Sequence, residues 1–293
     1  MTEILKNSPE WRGSLSRRNL LRAVGLGMAA AAATPVQAAD VNITTIQPLF
    51  SFAHVANGYG AGGDTWKTSF VFVEVQGAAA RVRLLFYTQT GAALSLPLLG
   101  GGRATQPVID IPAYGSAILE LDETADPTVT GWAGVIMELG DVKGQGVFKR
   151  HNPGQTDNEA IVPLISRAQS GCILPFPALA AVRALPFDNT QNFVTALAFA
   201  NTAIADRALD LEFRDETGSL IYTAHEPLPA HNQINFGTGS DTIPNFRYGI
   251  LAGRKGSMRV LNPSPYLVTD VSIMGFRFSP AFSFTTWMPI VSL

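Results

Sequence analysis

Two long stretches of this 293-residue chain match each other at a constant spacing of 127 residues. Residues 65–96 form the first stretch and residues 192–223 form the second. The aligned pairs are Thr68 with Thr195, Phe72 with Phe199, Ala78 with Ala205, Leu84 with Leu211, Phe86 with Phe213 and Gly91 with Gly218. A repeat of this length predicts that one structural unit is present twice.

The repeat continues beyond these stretches at slightly different spacings. Residues 111–113 resemble residues 228–230, and Gly131 and Gly256 align 125 residues apart. The spacing changes because the first copy carries extra residues in a glycine-rich loop around residues 99–103. Each copy is therefore roughly 110–125 residues long, a normal size for one sandwich domain.

Most of the strongly patterned segments alternate with a period of two, which is typical of antiparallel strands with one face in solvent. In the second copy, apolar residues at 209, 211 and 213 alternate with charged residues at 210, 212 and 214. In the first, Val82, Leu84 and Phe86 alternate with Arg81, Arg83 and Tyr87. Turns at residues 88–91 and 215–218 predict hairpins onto residues 92–96 and 219–223. Further strands are predicted at residues 69–75, 132–138, 146–150, 160–164, 257–261, 271–278 and 285–291.

The start of the chain has the features of an export signal. Arg17 and Arg18 are followed by two leucines, an apolar run over residues 23–33, and small residues before position 38. This pattern resembles a bacterial twin-arginine signal; an ordinary secretory signal containing two arginines is the alternative. The apolar run is shorter than the roughly 18–20 residues of a membrane span. The resemblance implies export by the twin-arginine translocase and a periplasmic or secreted location.

The repeated segment also resembles repeats of exported bacterial surface proteins. Residues 68–74 and 195–201 carry the pattern Thr-x-Phe-x-Phe-x-Glu and its second-copy equivalent, each leading into a Leu-x-Phe strand and a polar turn with glycine. This resemblance implies a secreted β-sandwich and no particular chemistry. It does not extend to a named family.

About seven strands per copy predict an all-β fold of two tandem antiparallel β-sandwich domains of immunoglobulin-like type, related by internal duplication. The cysteine pair of antibody domains is absent, because Cys172 is the only cysteine. We expect a signal peptide at residues 1–38, a first sandwich at 39–165, a linker at 166–171 and a second sandwich at 172–293.

The charge balance argues against two classes of partner. Without the five basic and two acidic residues of the signal, the 21 Lys and Arg and 23 Asp and Glu leave a net charge of about −5. A mildly acidic surface does not favour nucleic acids or anionic membranes. We therefore expect no nucleic-acid partner and no membrane span in the mature chain.

Motifs for catalysis or metal binding are absent from the sequence. The four histidines form no zinc motif, and the glycine-rich loops lack the context of a phosphate loop. We therefore expect no cofactor, no metal site and no catalytic residue; calcium stays open, with oxygens at residues 157–159 and 188–189. His225 and His231 are expected to be solvated loop residues, and Trp132 and Trp287 to lie in cores.

Candidate binding residues occur in the first copy, in two polar segments that combine aromatic and charged side chains. Aromatic rings stack on sugars, while carboxylates, amides and arginine pair with hydroxyl groups. Because Trp66 aligns with Phe193, packing in a core is the favoured alternative for that residue. The candidates are Tyr59, Asp64, Trp66, Arg150, His151 and Asp157.

These features predict an exported, non-enzymatic binding or structural module of the bacterial cell envelope, with a polysaccharide or an envelope protein as its partner. One alternative is a carbohydrate-active hydrolase or lyase that uses loop carboxylates such as Asp64, Asp157 and Glu159. The other is an accessory subunit of an exported enzyme.

Overall fold

A computed structural model of the chain describes residues 41–60, 63–123, 126–166, 182–261, 270–281 and 283–292. The predicted signal peptide, Cys172 and the predicted linker beyond Ser166 lie outside these residues. In the described residues the protein is all-β, with several antiparallel sheets and two short 3₁₀ helices, Ile43–Thr45 and Gly249–Leu251. No helix of this part of the chain is long and apolar enough to cross a membrane.

The first half, residues 41–166, contains eleven strands. They are β1 Phe50–Tyr59, β2 Thr65–Glu74, β3 Ala80–Thr88, β4 Leu96–Pro97, β5 Arg103–Ala104, β6 Val108–Ile111, β7 Ser116–Glu120, β8 Val129–Leu139, β9 Val142–His151, β10 Asn158–Pro163 and β11 Ile165–Ser166. The predicted strand at 92–96 is reduced to one bridge, Tyr87 to Ala93, because the chain then leaves the sheet to form the short hairpin of β4 and β5.

The second half, residues 182–292, contains ten strands. They are β12 Val182–Asp188, β13 Val194–Asn201, β14 Arg207–Asp215, β15 Leu220–Leu228, β16 Gln233–Thr238, β17 Phe246–Arg247, β18 Lys255–Leu261, β19 Val271–Phe278, β20 Phe284–Trp287 and β21 Ile290–Ser292. Strand β19 has the bounds predicted from the alternation of its residues.

The two halves share one strand order. In the first half, one layer has the order β11-β1-β8-β3-β6 and the other β10-β9-β2-β7; β1 and β2 pair only at the corner where Gly58 faces Trp66. In the second half, the corresponding orders are β21-β12-β18-β14-β15 and β20-β19-β13-β16-β17.

In each half, alternate residues of both layers share an apolar core. Phe52, Phe70 and Phe86 are fully buried in the first-half core. The second-half core contains Leu211 and Phe213 of β14, and the charged residues between them lie on the outer face, as the alternation predicts.

The outer face of β3 differs from its prediction, because beyond Arg81 it is buried rather than in solvent. Leu85, Tyr87 and Trp132 form an apolar cluster with Ala200 of the second half. Trp132 is thus buried between the halves and not in the core of the first half. The second half covers this face, which the alternation of residues alone predicts to be exposed to solvent.

His231 corrects a second expectation, since it is 3% exposed rather than solvated. Its ring stacks on Tyr87, with 5.2 Å between ring centroids, and its Nε2 lies 3.1 Å from the carbonyl oxygen of Thr44. Trp132 Nε1 donates to the His231 carbonyl oxygen at 2.7 Å. The polar loop around His231 therefore forms part of the contact between the halves, which its sequence does not reveal.

Gln233 joins the halves through hydrogen bonds. Its buried Nε2 donates to the carbonyl oxygens of Ala53, at 2.6 Å, and Gly131, at 2.7 Å. Its backbone N–H donates to the carbonyl oxygen of Gln89 at 2.9 Å. Because buried carbonyl groups are costly without donors, this side chain fixes the position of β16 on the first half.

Candidate binding site

Strand register at the corner of β1, β2 and β9 brings the candidate residues together in two groups. Tyr59 lies opposite Thr65, and Thr65 lies opposite His151. The next pair along β2 and β9 is Trp66 with Arg150. Side chains of opposite residues share a face of a sheet and successive residues alternate, so Tyr59 and His151 lie on one face and Trp66 and Arg150 on the other.

The inner group consists of Asp64, Trp66 and Arg150. Arg150 Nε donates to Asp64 Oδ2 at 2.7 Å, and the two side chains are only 11% and 9% exposed. The guanidinium carbon lies 5.3 Å from the centre of the Trp66 ring. The two charges are therefore paired with each other in a largely buried position beside the Trp66 ring.

Trp66 packs against both halves of the molecule. Its ring is stacked on Phe148, with 5.0 Å between centroids, and lies 5.9 Å from Phe284 of the second half. Trp66 is half-buried against the first-half core. The alignment of Trp66 with Phe193 favours this packing role over a role in ligand binding.

The second half contains a comparable group at its own sheet corner. Arg277 Nη2 lies 2.6 Å from Asp188 Oδ2, and its guanidinium carbon lies 3.5 Å from the centre of the Phe193 ring. Phe193 is the residue aligned with Trp66. An aspartate, an arginine and an aromatic ring thus lie in contact with one another in each half.

The outer group is accessible and consists of Tyr59, Lys149, His151 and Asp157, here called the outer patch. Tyr59 is 47% exposed. Asp157 accepts from Lys149 Nζ at 2.6 Å through Oδ2, and its Oδ1 lies 2.6 Å from His151 Nδ1. A turn closed by the bond from Gln155 N–H to the Asn152 carbonyl oxygen, at 3.0 Å, returns the loop to this position.

In the outer patch, Asp157 and Lys149 each stabilise the charged form of the other. Hydrogen bonds from Lys149 and then His151 hold the pKa of Asp157 below its usual range. The carboxyl raises the pKa of Lys149 in turn, chiefly through the same hydrogen bond. Asp157 therefore stays ionised at neutral pH, which suits it to accept hydrogen bonds rather than to donate a proton.

Lys149 is the residue of this patch that the sequence reasoning missed. It lies two residues before His151 on β9 and therefore on the same face of the strand. Alternation along β9 up to His151 is the sequence signal that places Lys149 on this face.

Other candidates for chemistry do not assemble into a metal centre. The described residues contain no group of three or more His, Cys, Asp or Glu side chains placed to hold a metal ion. Of the carboxylates considered for calcium, Asp188 is bound by Arg277 and Thr190, and Asp157 by Lys149 and His151. His225 pairs with Asp210 on the outer face of β14 and β15, at 2.7 Å.

Comparison of the chain with protein-family models, with curated proteins and with solved structures found no match.

Proposed function

We propose that this protein is an exported, non-enzymatic binding module of the bacterial cell envelope whose ligand contacts the outer patch. The observation that carries the proposal is the placement of the exposed Tyr59 on the same sheet face as His151, whose ring contacts the carboxylate of Asp157. Tyr59 and His151 are separated by two strand spacings, about 10 Å, which is wide enough for a short oligosaccharide. A polysaccharide is therefore the proposed ligand, and an envelope protein is the alternative partner.

The chemistry of the patch supports a ligand rich in hydroxyl groups. The Tyr59 ring offers an apolar face for a sugar ring, while Asp157 accepts and Lys149 and His151 donate hydrogen bonds. The inner group contributes indirectly, because the buried Asp64–Arg150 pair and Trp66 hold the strand ends that carry the patch.

The absence of a second outer patch favours one ligand site per chain. By register, the second-half residue opposite Val194 is Phe278, and the strand ends there, two residues short of the equivalent of His151. Both halves therefore have a group of aspartate, arginine and aromatic ring, whereas among the described residues only the first half adds the accessible residues of the outer patch.

We also propose an internal duplication of an immunoglobulin-like sandwich as the origin of the fold. The shared strand order supports it, and so do aligned residues with the same role. The Thr68 hydroxyl exchanges hydrogen bonds with the backbone of Ala56, and the Thr195 hydroxyl does so with the backbone of Asp188.

Export by the twin-arginine translocase to the periplasm or beyond is part of the same proposal. Its support is the sequence pattern around Arg17 and Arg18. Fusion of residues 1–38 to a reporter that is active only after export tests it, with Arg17 and Arg18 changed to Lys. Export that persists in the double variant, or that does not occur, contradicts this route.

Binding of purified residues 39–293 to insoluble polysaccharides and to bacterial envelopes, measured by co-sedimentation, tests the ligand site. We expect saturable binding that is lost in Tyr59→Ala. Tyr114→Ala is the matched control, because Tyr114 is 72% exposed and lies beyond the opposite end of β2. Binding that is unchanged in Tyr59→Ala, or reduced equally in Tyr114→Ala, would contradict the proposal.

A further inference from the structure

Strand β15 is an unusually long edge. It has nine residues and, within the described residues, pairs with β14 alone. The other edge strands have between two and six residues. Proteins commonly shorten or cover exposed edges, since the free N–H and C=O groups can pair with another chain. The corresponding edge of the first half, β6, has only four residues.

The register of β15 identifies the backbone groups that point away from β14. Pro227 has no N–H, so its pair with Ala208 cannot exchange two hydrogen bonds. Hydrogen-bonded and non-hydrogen-bonded pairs alternate in antiparallel sheets, so Thr223 and His225 are non-bonded to β14 as well. The N–H and C=O groups of Thr223 and His225 therefore face outward.

The two ends of β15 differ in how well they are protected from pairing with another chain. Glu226 points inward and is held by Arg247 and the Tyr248 hydroxyl, and Pro227 follows it. Inward charges and prolines are the usual means of protecting an edge. Residues 222–225 lack both and pair with β14 without interruption, while a register shift lies beyond them at Ile221. Leu220 and Tyr222 are 52% and 39% exposed.

We propose that the open part of β15 pairs with the same strand of a second copy of this chain. A two-fold axis at Thr223 joins the two five-stranded sheets into one antiparallel sheet of ten strands. In this register His225 of one copy faces Ile221 of the other, and Glu226 faces Leu220. No like charges oppose each other, and Tyr222 lies opposite the small Ala224, so large and small side chains alternate across the axis.

Sedimentation velocity of residues 39–293 over a range of concentrations tests the proposal. We expect a reversible dimer that is lost in Thr223→Pro, because proline removes an outward N–H without removing a bond to β14. Thr223→Val keeps the N–H and is expected to keep the dimer. Circular dichroism melts of both variants show whether the monomer stays folded.

A monomer at every concentration would overturn the proposal, as would a dimer of folded Thr223→Pro as tight as the unchanged protein. If Thr223→Pro does not fold, Thr223 replaced by N-methylated threonine through chemical ligation removes the same N–H with the side chain retained. A dimer that survives this change would likewise overturn it.

Discussion

At the scale of single residues, the aligned threonines show how the repeat stabilises a sheet corner. Thr68 and Thr195 are fully buried, and each hydroxyl both donates to and accepts from the backbone of the preceding strand. At these positions a side chain replaces the hydrogen bonds that are lost where the chain moves from one layer to the other. A buried hydroxyl with both roles filled explains why threonine is suited to these two positions.

We predict that Thr68→Val destabilises the protein by about 1–3 kcal/mol, because the buried Ala56 N–H loses its acceptor. The free energy of unfolding in urea measures this effect. Thr223→Val serves as the control, since Thr223 is exposed and its substitution should change stability by less than about 0.5 kcal/mol. Equal effects of the two substitutions would contradict this role of the hydroxyl.

His54 gives the molecule a sensitivity to acid. Its ring lies between Phe148 and Phe276, one from each half, and burial lowers its pKa from 6.5 to about 4. The unfolded chain therefore binds a proton more readily than the folded one between these two values. Stability should be fully present above pH 6.5 and should fall as the pH decreases towards 4, by about 3 kcal/mol.

Urea unfolding at about pH 7 and about pH 4.5 measures this loss. We expect a smaller loss in His54→Leu than in the unchanged protein, because leucine does not titrate. His225→Leu, which changes an exposed histidine, should retain the full loss. If His54→Leu loses as much stability in acid as the unchanged protein, other groups are responsible.

At the scale of the strands, aligned glycines permit close pairing. A Cβ atom on Gly131 would lie 1.9 Å from the Tyr87 carbonyl oxygen, and one on Gly256 would lie 1.9 Å from that of Arg214. The contacts are equivalent, because Gly131 lies opposite Thr88 and Gly256 lies opposite Asp215. Neither position has room for any other residue unless the two strands separate.

We predict that Gly256→Ala destabilises the protein by about 3 kcal/mol, near the upper end of the usual cost of steric insertion. Gly275→Ala is the comparison, since the nearest atom to its Cβ would be a flexible Leu185 methyl at 3.3 Å. Thermal unfolding followed by circular dichroism measures both. Equal melting temperatures for the two variants would contradict the argument from close approach.

The strands show what the sequence could and could not predict. Alternation identified the core face of β14 and the bounds of β19, because period and burial are local properties of a strand. It could not show that the outer face of β3 is covered, since the partner surface around Ala200 and His231 lies more than 100 residues away. The composition of two polar segments likewise predicts the candidate binding residues. It does not show which of them share a face; the strand register separates the inner group from the outer patch.

At the scale of the whole molecule, the two halves bury surfaces against each other. Tyr87 and Trp132 stack at 4.2 Å between centroids and are covered by His231, while Phe276 contacts Phe148 at 5.2 Å. Gln233 adds two hydrogen bonds across the same interface. Neither half can therefore be removed without exposing large aromatic side chains of the other.

We predict that residues 39–166 alone unfold at a lower temperature than residues 39–293 and bind a hydrophobic dye, because Leu85, Tyr87 and Trp132 become exposed. Differential scanning fluorimetry measures both properties. Residues 39–166 with the melting temperature of the longer chain and no dye binding would show that the interface adds no stability.

The most direct test of the account is hydrogen–deuterium exchange of residues 39–293 with and without a soluble fragment of a polysaccharide that the protein co-sediments with. The account predicts slower exchange in peptides that cover Tyr59 and the segment from Lys149 to Asp157. Exchange in β14 and β15 should be unchanged. Protection confined to the second half, or no protection at saturating ligand, would contradict a ligand site on the outer patch.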